Sequence, residues 1–228
     1  MPTSGTTNFT LDFSDWAEEA WELAGQEMRT GYQLRTARRS ANLMMIDLNN
    51  RGLNMWAFDE GFIPLLEGIN EYELPADTVD LLEHVVRQNV GSVTQQSDLN
   101  ITRLSVSEYA SIPNKLTRGR PINLWINRLR DAPKVVVWPV PESDQYQLHY
   151  WRMRRLQDVG SGVETPDAVY RFLPTLTAGL AYHIAMKVPE LMPRVPMLQA
   201  NFEQLLKHAT DEDREKATWT ILPRLGRV

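Results

Sequence analysis

Two apolar runs flank a proline-containing turn in the middle of the chain: Lys134-Val-Val-Val-Trp138, then Pro139-Val-Pro141, then Tyr146-Gln-Leu-His-Tyr-Trp151. Short runs of β-branched and aromatic residues that are closed by proline are typical of β-strands joined by turns. This stretch therefore predicts two strands in succession, and it places the middle of the chain in a β-sheet.

The same pattern extends upstream from this stretch to Trp56. The further strand candidates are residues 56–58, 61–66, 72–74, 79–88, 101–106 and 122–129. Several short strands separated by glycine and proline turns indicate a small antiparallel sandwich or barrel. We expect this β domain to occupy residues 56–157.

Helical periodicity replaces the strand pattern on the N-terminal side. Ser14 is expected to N-cap a first helix, and Gly31 is expected to break it. Apolar residues spaced three and four apart from Leu34 to Leu48 predict a second helix, with Gly52 as its C-terminal glycine. The short link between the two helices predicts that they pack as a hairpin.

Helical periodicity also returns on the C-terminal side. Thr165 is expected to cap a helix with Pro166 at its first position, and Pro174 is expected to kink or restart it. Apolar faces over residues 172–188 and 198–209 predict two helices. The fold class is therefore α+β, with a helical bundle domain built from both chain ends (14–55 and 165–217), the β domain inserted between them, an N-terminal arm (1–13) and a C-terminal tail (218–228).

Composition excludes several classes of protein. The chain has 228 residues and no cysteine, so disulfide scaffolds, thiolate metal sites and cysteine nucleophiles are ruled out. No apolar run reaches the length that spans a bilayer, and the first residues do not resemble a signal peptide, so we expect a soluble protein. The net charge of −5 divides unevenly: residues 1–114 carry −10, residues 115–155 carry +6 and residues 156–228 carry −1. Such a partition suits head-to-tail contacts between copies, although solvated charged faces explain it equally well.

The sequence shows no recognisable catalytic centre. Its four histidines, His84, His149, His183 and His208, lie in separate predicted elements and lack metal-ligand spacing. No phosphate-binding glycine motif and no nucleophile elbow occurs. We therefore predict a protein that is not an enzyme and that has no catalytic residue, cofactor or metal.

The basic middle of the chain offers candidate contact residues. The candidates for contacts between subunits or with the phosphates of a nucleic acid are Arg118, Arg120, Arg152, Arg154 and Arg155. Trp125, Trp138 and Trp151 could stack on bases, but tryptophan in a strand more often belongs to a core. The acidic remainder of the chain argues against sequence-specific DNA binding.

Five stretches in the same linear order resemble the head-to-tail adaptor proteins of short-tailed bacteriophages, which are also called connector, head-completion or tail tubular A-type proteins. The resemblance covers about residues 14–217. The stretches are Ala41–Leu48 with Asn50-Arg-Gly-Leu53 and Trp56, Tyr72–Pro75 with Asp77, Ser107–Tyr109 with Ile112–Lys115 and Gly119–Pro121, Trp138–Pro141 with Tyr146–Leu148, and Pro174–Lys187.

The resemblance implies a structural virion protein that is assembled in the host cytoplasm. Such adaptors form a ring, commonly of twelve copies, under the portal; the ring continues the DNA channel, retains the genome and carries the tail nozzle and fibres. Genomic DNA would pass through it without sequence-specific binding. We expect apolar residues of the C-terminal tail to dock on the portal: Trp219, Ile221 and Leu222, together with Arg224. The alternative is a non-enzymatic tail or host-attachment module.

Overall fold

A computed structural model describes residues 5, 9, 11–52, 55–160 and 163–213. The helices are α1 (Phe13–Ala24), α2 (Gly31–Asn50), α3 (Val106–Ser111), α4 (Leu173–Ala185) and α5 (Val195–Glu212). The strands are β1 (Phe58–Leu65), β2 (Glu71–Glu73), β3 (Thr78–Gln88), β4 (Ser97–Asn100), β5 (Thr102–Leu104), β6 (Arg118–Gly119), β7 (Asn123–Asn127), β8 (Lys134–Trp138), β9 (Val140–Pro141) and β10 (Tyr146–Arg154). The predicted α+β class is confirmed.

The chain divides into two compact units. A helical unit comprises Met1–Met55 with Gln157–Val228, and a β unit comprises Trp56–Leu156.

Helix α4 is the centre of the helical unit. It is buried on nearly every side because its sequence, LPTLTAGLAYHIA, is apolar all round. Helices α1, α2 and α5 all pack on it. Helices α1 and α2 also contact each other, as the expected hairpin requires, but each makes its more extensive contact with α4.

The ends of α1 and α2 differ from the sequence expectation. Asp12, not Ser14, caps α1, and its Oδ1 accepts a hydrogen bond from the Asp15 backbone N–H at 2.9 Å. The helix ends at Gly25, whose φ of 107° is one that glycine adopts readily. Gly31 does not break a helix but begins α2, because Thr30 and Gln33 form a reciprocal capping box. Gly52 follows α2 with a φ of 69°, as expected of a C-terminal glycine.

The start of α4 also lies later than predicted. Thr165 and Pro166 are not helical; a 3-10 turn at Tyr170–Phe172 leads into the helix instead. Pro174 lies in the first turn of α4, where its missing N–H costs no helical hydrogen bond, so it starts the helix without kinking it.

Besides the short two-stranded sheet β6–β9, the β unit contains two four-stranded sheets. Their strand orders are β1-β10-β3-β4 and β2-β8-β7-β5. One core cluster draws buried side chains from both sheets, including Leu81 and Leu148 from the first and Leu124 and Val137 from the second. The pairings β5–β7 and β6–β9 are parallel, so the prediction of a purely antiparallel domain needs correction.

The predicted strand over residues 101–106 is only partly correct. Strand β5 ends at Leu104, and α3 begins at Val106. Ser105 and Glu108 form a second capping box, with the Ser105 backbone N–H donating to Glu108 Oε2 at 2.7 Å. The spacing Ser-x-x-Glu is typical of a helix start, and it explains why the predicted strand gives way to α3.

Candidate functional site

The titratable side chains do not assemble into a reactive centre in the part of the chain that the structure describes. No group of three or more His, Asp or Glu in those residues could hold a metal ion. Burial lowers the pKa of His84, His149 and His183, so each favours the neutral form. His183 packs beside the Tyr182 ring, with 5.3 Å between ring centroids.

Arg152 joins neighbouring strands of the first sheet. Its side chain is only 12% exposed, and its Nη1 donates to Asp77 Oδ1 at 2.5 Å and to Thr78 Oγ1 at 2.9 Å. Its Nη2 lies 3.1 Å from Asp59 Oδ2. The ion pair with Arg152 lowers the pKa of Asp77. The Arg152 charge is thus neutralised inside the β unit.

The two arginines that follow have similar internal partners. Arg154 is 16% exposed, and its Nε lies 3.5 Å from Asp59 Oδ2. The Arg155 guanidinium donates to the backbone carbonyl of Ala76, and its backbone N–H donates to the carbonyl of Asp77. These side chains hold the end of β10 to the segment before β3.

Arg118 and Arg120 lie in a different environment, on the exposed loop that contains β6. Arg118 is 64% exposed in its side chain and makes one contact with Glu67 Oε1 at 3.1 Å. Arg120 is exposed and forms no ion pair within the described part of the chain. Of the five predicted arginines, Arg118, Arg120 and Arg155 are exposed, and of these three Arg118 alone forms an ion pair among the described residues.

An aromatic stack supports this loop. The Tyr109 ring of α3 stacks on Trp125 of β7 at 4.9 Å, and Lys115 Nζ lies 5.5 Å from the Tyr109 centroid. Trp138 Nε1 donates to the carbonyl of Asn114 at 3.1 Å. The loop before Arg118 is thereby fixed at both ends. Sequence reasoning missed this stack because it joins residues that are far apart in the chain.

Two of the tryptophans considered as base-stacking platforms are used inside the β unit. Trp125 and Trp138 are half-buried by the contacts just described, whereas Trp151 of β10 is 37% exposed. The predicted portal-binding residues Trp219, Ile221, Leu222 and Arg224 lie outside the described residues.

No helix within the described ranges is long and apolar enough to cross a membrane.

The SU10 adaptor protein family model matches residues 10–224. Because the match covers nearly the whole chain, the protein belongs to the SU10 adaptor protein family, and the predicted resemblance to phage head-to-tail adaptors is confirmed. No curated protein sequence matches the chain. Family membership identifies a structural component of a bacteriophage virion that contacts portal and tail components, and it implies a non-enzymatic role.

Proposed function

We propose that this chain is the head-to-tail adaptor that forms a ring under the portal of its virus. The family match over residues 10–224 is the observation that carries this proposal. In the ring, the adaptor continues the DNA channel, retains the packaged genome and offers the attachment surface for the tail nozzle and fibres. A closed ring requires a heterologous contact repeated by rotation, commonly twelve times in adaptors of this kind.

The domain arrangement proposed from the sequence fits this role. A helical adaptor domain (14–55 and 165–217) with an inserted β domain (56–157) supplies two separate surfaces, one for a neighbour and one for a tail component. The units of the structure, which change at Trp56 and Gln157, support that division. We propose that the exposed Arg118, Arg120 and Arg155 belong to an intermolecular or channel-facing surface. We leave out Arg152 and Arg154, whose side chains are largely buried and paired with acids inside the β unit.

The C-terminal tail is proposed as the portal anchor. Trp219, Ile221 and Leu222 are large apolar residues in a segment of 11 residues that also carries Arg224. Buried aromatic and apolar side chains supply most of the binding energy of a typical interface.

Native mass spectrometry of the chain mixed with the portal protein of the same virus tests the proposal. We expect one complex with a fixed whole-number stoichiometry. The variant W219A/I221A/L222A should bind the portal at least about tenfold more weakly. Each apolar anchor buried at an interface contributes on the order of 1 kcal/mol or more to binding.

The matched control is T218A/T220A, which alters the same tail without removing an anchor. It should bind as the unaltered chain does. If the unaltered chain forms no complex at micromolar concentration, the portal-adaptor function is wrong and a tail or host-attachment module takes its place. If the complex forms but the triple variant binds normally, the tail is not the anchor.

A further inference from the structure

Helix α1 presents a purely acidic face to its surroundings. Its exposed residues are Asp15, Glu18, Glu19 and Glu22. The opposite side, which includes Phe13, Trp16 and Trp21, is buried. The spacing of three and four residues places the four carboxylates on one stripe of the helix.

Helix α2 presents a face of the opposite character in the same unit. Its exposed side chains include Tyr32, Arg35, Arg39, Leu43 and Ile46, again at steps of three and four. Tyr32, Leu43 and Ile46 are 66%, 61% and 58% exposed. Arg38 lies beside this stripe, half-buried, and joins Tyr32, Arg35 and Arg39 around one shallow depression. The composition, with tyrosine, arginine and aliphatic residues, is typical of a protein interface.

Neither face has a counterion within the described part of the chain. Among the described residues, no ion pair involves Glu18, Glu19 or Glu22, and none involves Arg35, Arg38 or Arg39. The helix dipole favours Asp15 in the first turn of α1, but it does not account for Glu22. Glu22 lies near the C-terminal end of α1, where the helix dipole disfavours an acid.

We propose that the acidic face of α1 in one copy docks on the basic and apolar face of α2 in the next copy. This inference rests on the proposed ring, and it names the surfaces that close it. The contact is heterologous, since each copy uses a different face toward each neighbour, as repetition by rotation requires. Charge complementarity between the two faces sets the register and excludes contacts of like faces.

An antiparallel arrangement of the two helices matches both charge and hydrophobicity. Glu18 and Glu22 are four residues apart, as are Arg35 and Arg39, which is about 6 Å along a helix axis in both cases. With Glu22 on Arg35 and Glu18 on Arg39, the chain before α1 approaches Ile46. That chain includes Phe9, which is 65% exposed, so an apolar side chain meets the apolar end of the α2 face.

The apolar residues decide between a protein and DNA as the occupant of the α2 face. A phosphate backbone would use Arg35 and Arg39, but it offers nothing to Leu43 and Ile46. A second copy of the chain offers both kinds of partner, because its α1 supplies carboxylates at the matching spacing and the chain before α1 supplies the exposed Phe9.

Charge reversal of one face at a time tests the interface. The variants E18K/E22K and R35E/R39E each place like charges at both proposed pairings, 22 with 35 and 18 with 39, so each should assemble on the portal at least about tenfold more weakly than the unaltered chain. An equimolar mixture should assemble again, because the reversed α1 face of one variant meets the reversed α2 face of the other. Native mass spectrometry of the mixture should show the two variants in equal numbers.

The outcomes separate this interface from the proposed function. If the unaltered chain does not assemble on the portal, the function fails and the interface with it. If the unaltered chain assembles and either reversal has no effect, or the mixture of folded variants does not recover, only the interface is overturned. Binding of labelled duplex DNA that R35E/R39E abolishes, with assembly unchanged, would assign the α2 face to DNA and would also overturn it.

The absence of cysteine permits a test of the register. The variant E18C/R39C should form a ladder of disulfide-linked oligomers under mild oxidation when assembled on the portal, because the proposed pairing brings these positions together across each contact. The control E18C/Q199C places the second thiol on the exposed side of α5 and should give no ladder. No ladder from E18C/R39C overturns the antiparallel register.

Discussion

At the scale of single residues, Gly179 allows side chains of two neighbouring helices to pack closely against α4. A Cβ atom at this position would lie 2.6 Å from Met44 Sδ and 2.8 Å from the Phe202 ring. The glycine of α4 therefore lets α2 and α5 approach from two sides. The backbone at Gly179 is ordinary helix and does not require glycine. The residue is therefore needed for its lack of a side chain, which allows the close packing.

Gly179→Ala should destabilise the protein, although alanine favours helix by about 1 kcal/mol over glycine. The added methyl group must displace buried side chains, and overpacking costs roughly 1–3 kcal/mol. We expect a lower melting temperature by circular dichroism. Gly31→Ala is the control, since nothing lies within 4 Å of its added Cβ. It should leave stability unchanged or raise it, and a Gly179→Ala variant more stable than the parent would contradict the packing argument.

At the scale of elements, β10 holds the first sheet together. It pairs with β1 on one side and with β3 on the other. The Arg152 ion pairs reinforce both of these pairings at one end, because Asp59 belongs to β1 and Asp77 immediately precedes β3.

Arg152→Gln should lower the free energy of unfolding by about 1–3 kcal/mol. The loss lies below that of a fully buried ion pair, because Asp59 and Asp77 are 39% and 47% exposed and water partly solvates them. Urea denaturation followed by tryptophan fluorescence measures the change. The matched control is Arg130→Gln, whose contact with Asp131 is almost fully exposed and spans 3.8 Å. Equal effects of the two substitutions would refute a structural role for Arg152.

At the scale of the whole molecule, the buried His149 and the half-buried His84 and His183 make stability depend on pH. Burial lowers the pKa of His84, His149 and His183 in the folded state, whereas in the unfolded chain histidine titrates near 6.5. The unfolded chain thus binds protons at a higher pH than the folded chain does. The contribution of these histidines to the free energy of unfolding is therefore fully present above about pH 6.5. It is lost as the pH falls toward their pKa values in the folded state.

The variant His183→Gln should reduce this dependence. Its ring lies near Asp47, Lys187 and Arg51, so glutamine keeps a polar group there without a proton to bind. The melting temperature should fall less between pH 7 and pH 5 than that of the parent, and His208→Gln, at an exposed position on α5, should behave as the parent does. An unchanged pH profile for His183→Gln would show that another group controls the acid transition.

Elements with strong local signals were predictable from the sequence. The α2 stripe, the runs that became β8 and β10, and the apolar face of α5 each repeat at the period of their own structure. Boundaries were less accurate where one signal hid another. Thr30-x-x-Gln33 and Ser105-x-x-Glu108 both start helices. In the first case Gly31 predicts a helix break, and in the second the residues before Val106 predict a strand.

The sequence by itself determined the α+β class, the strand-rich middle between helical ends, and the family, because each depends on residue types and their order along the chain. Tertiary structure alone decided that α1 and α2 pack on α4, that β5 pairs parallel to β7, and that Arg152 is neutralised while Arg120 stays exposed. These outcomes join residues that are distant in sequence. A local sequence pattern does not determine which apolar surface or which opposite charge a side chain contacts in the folded protein.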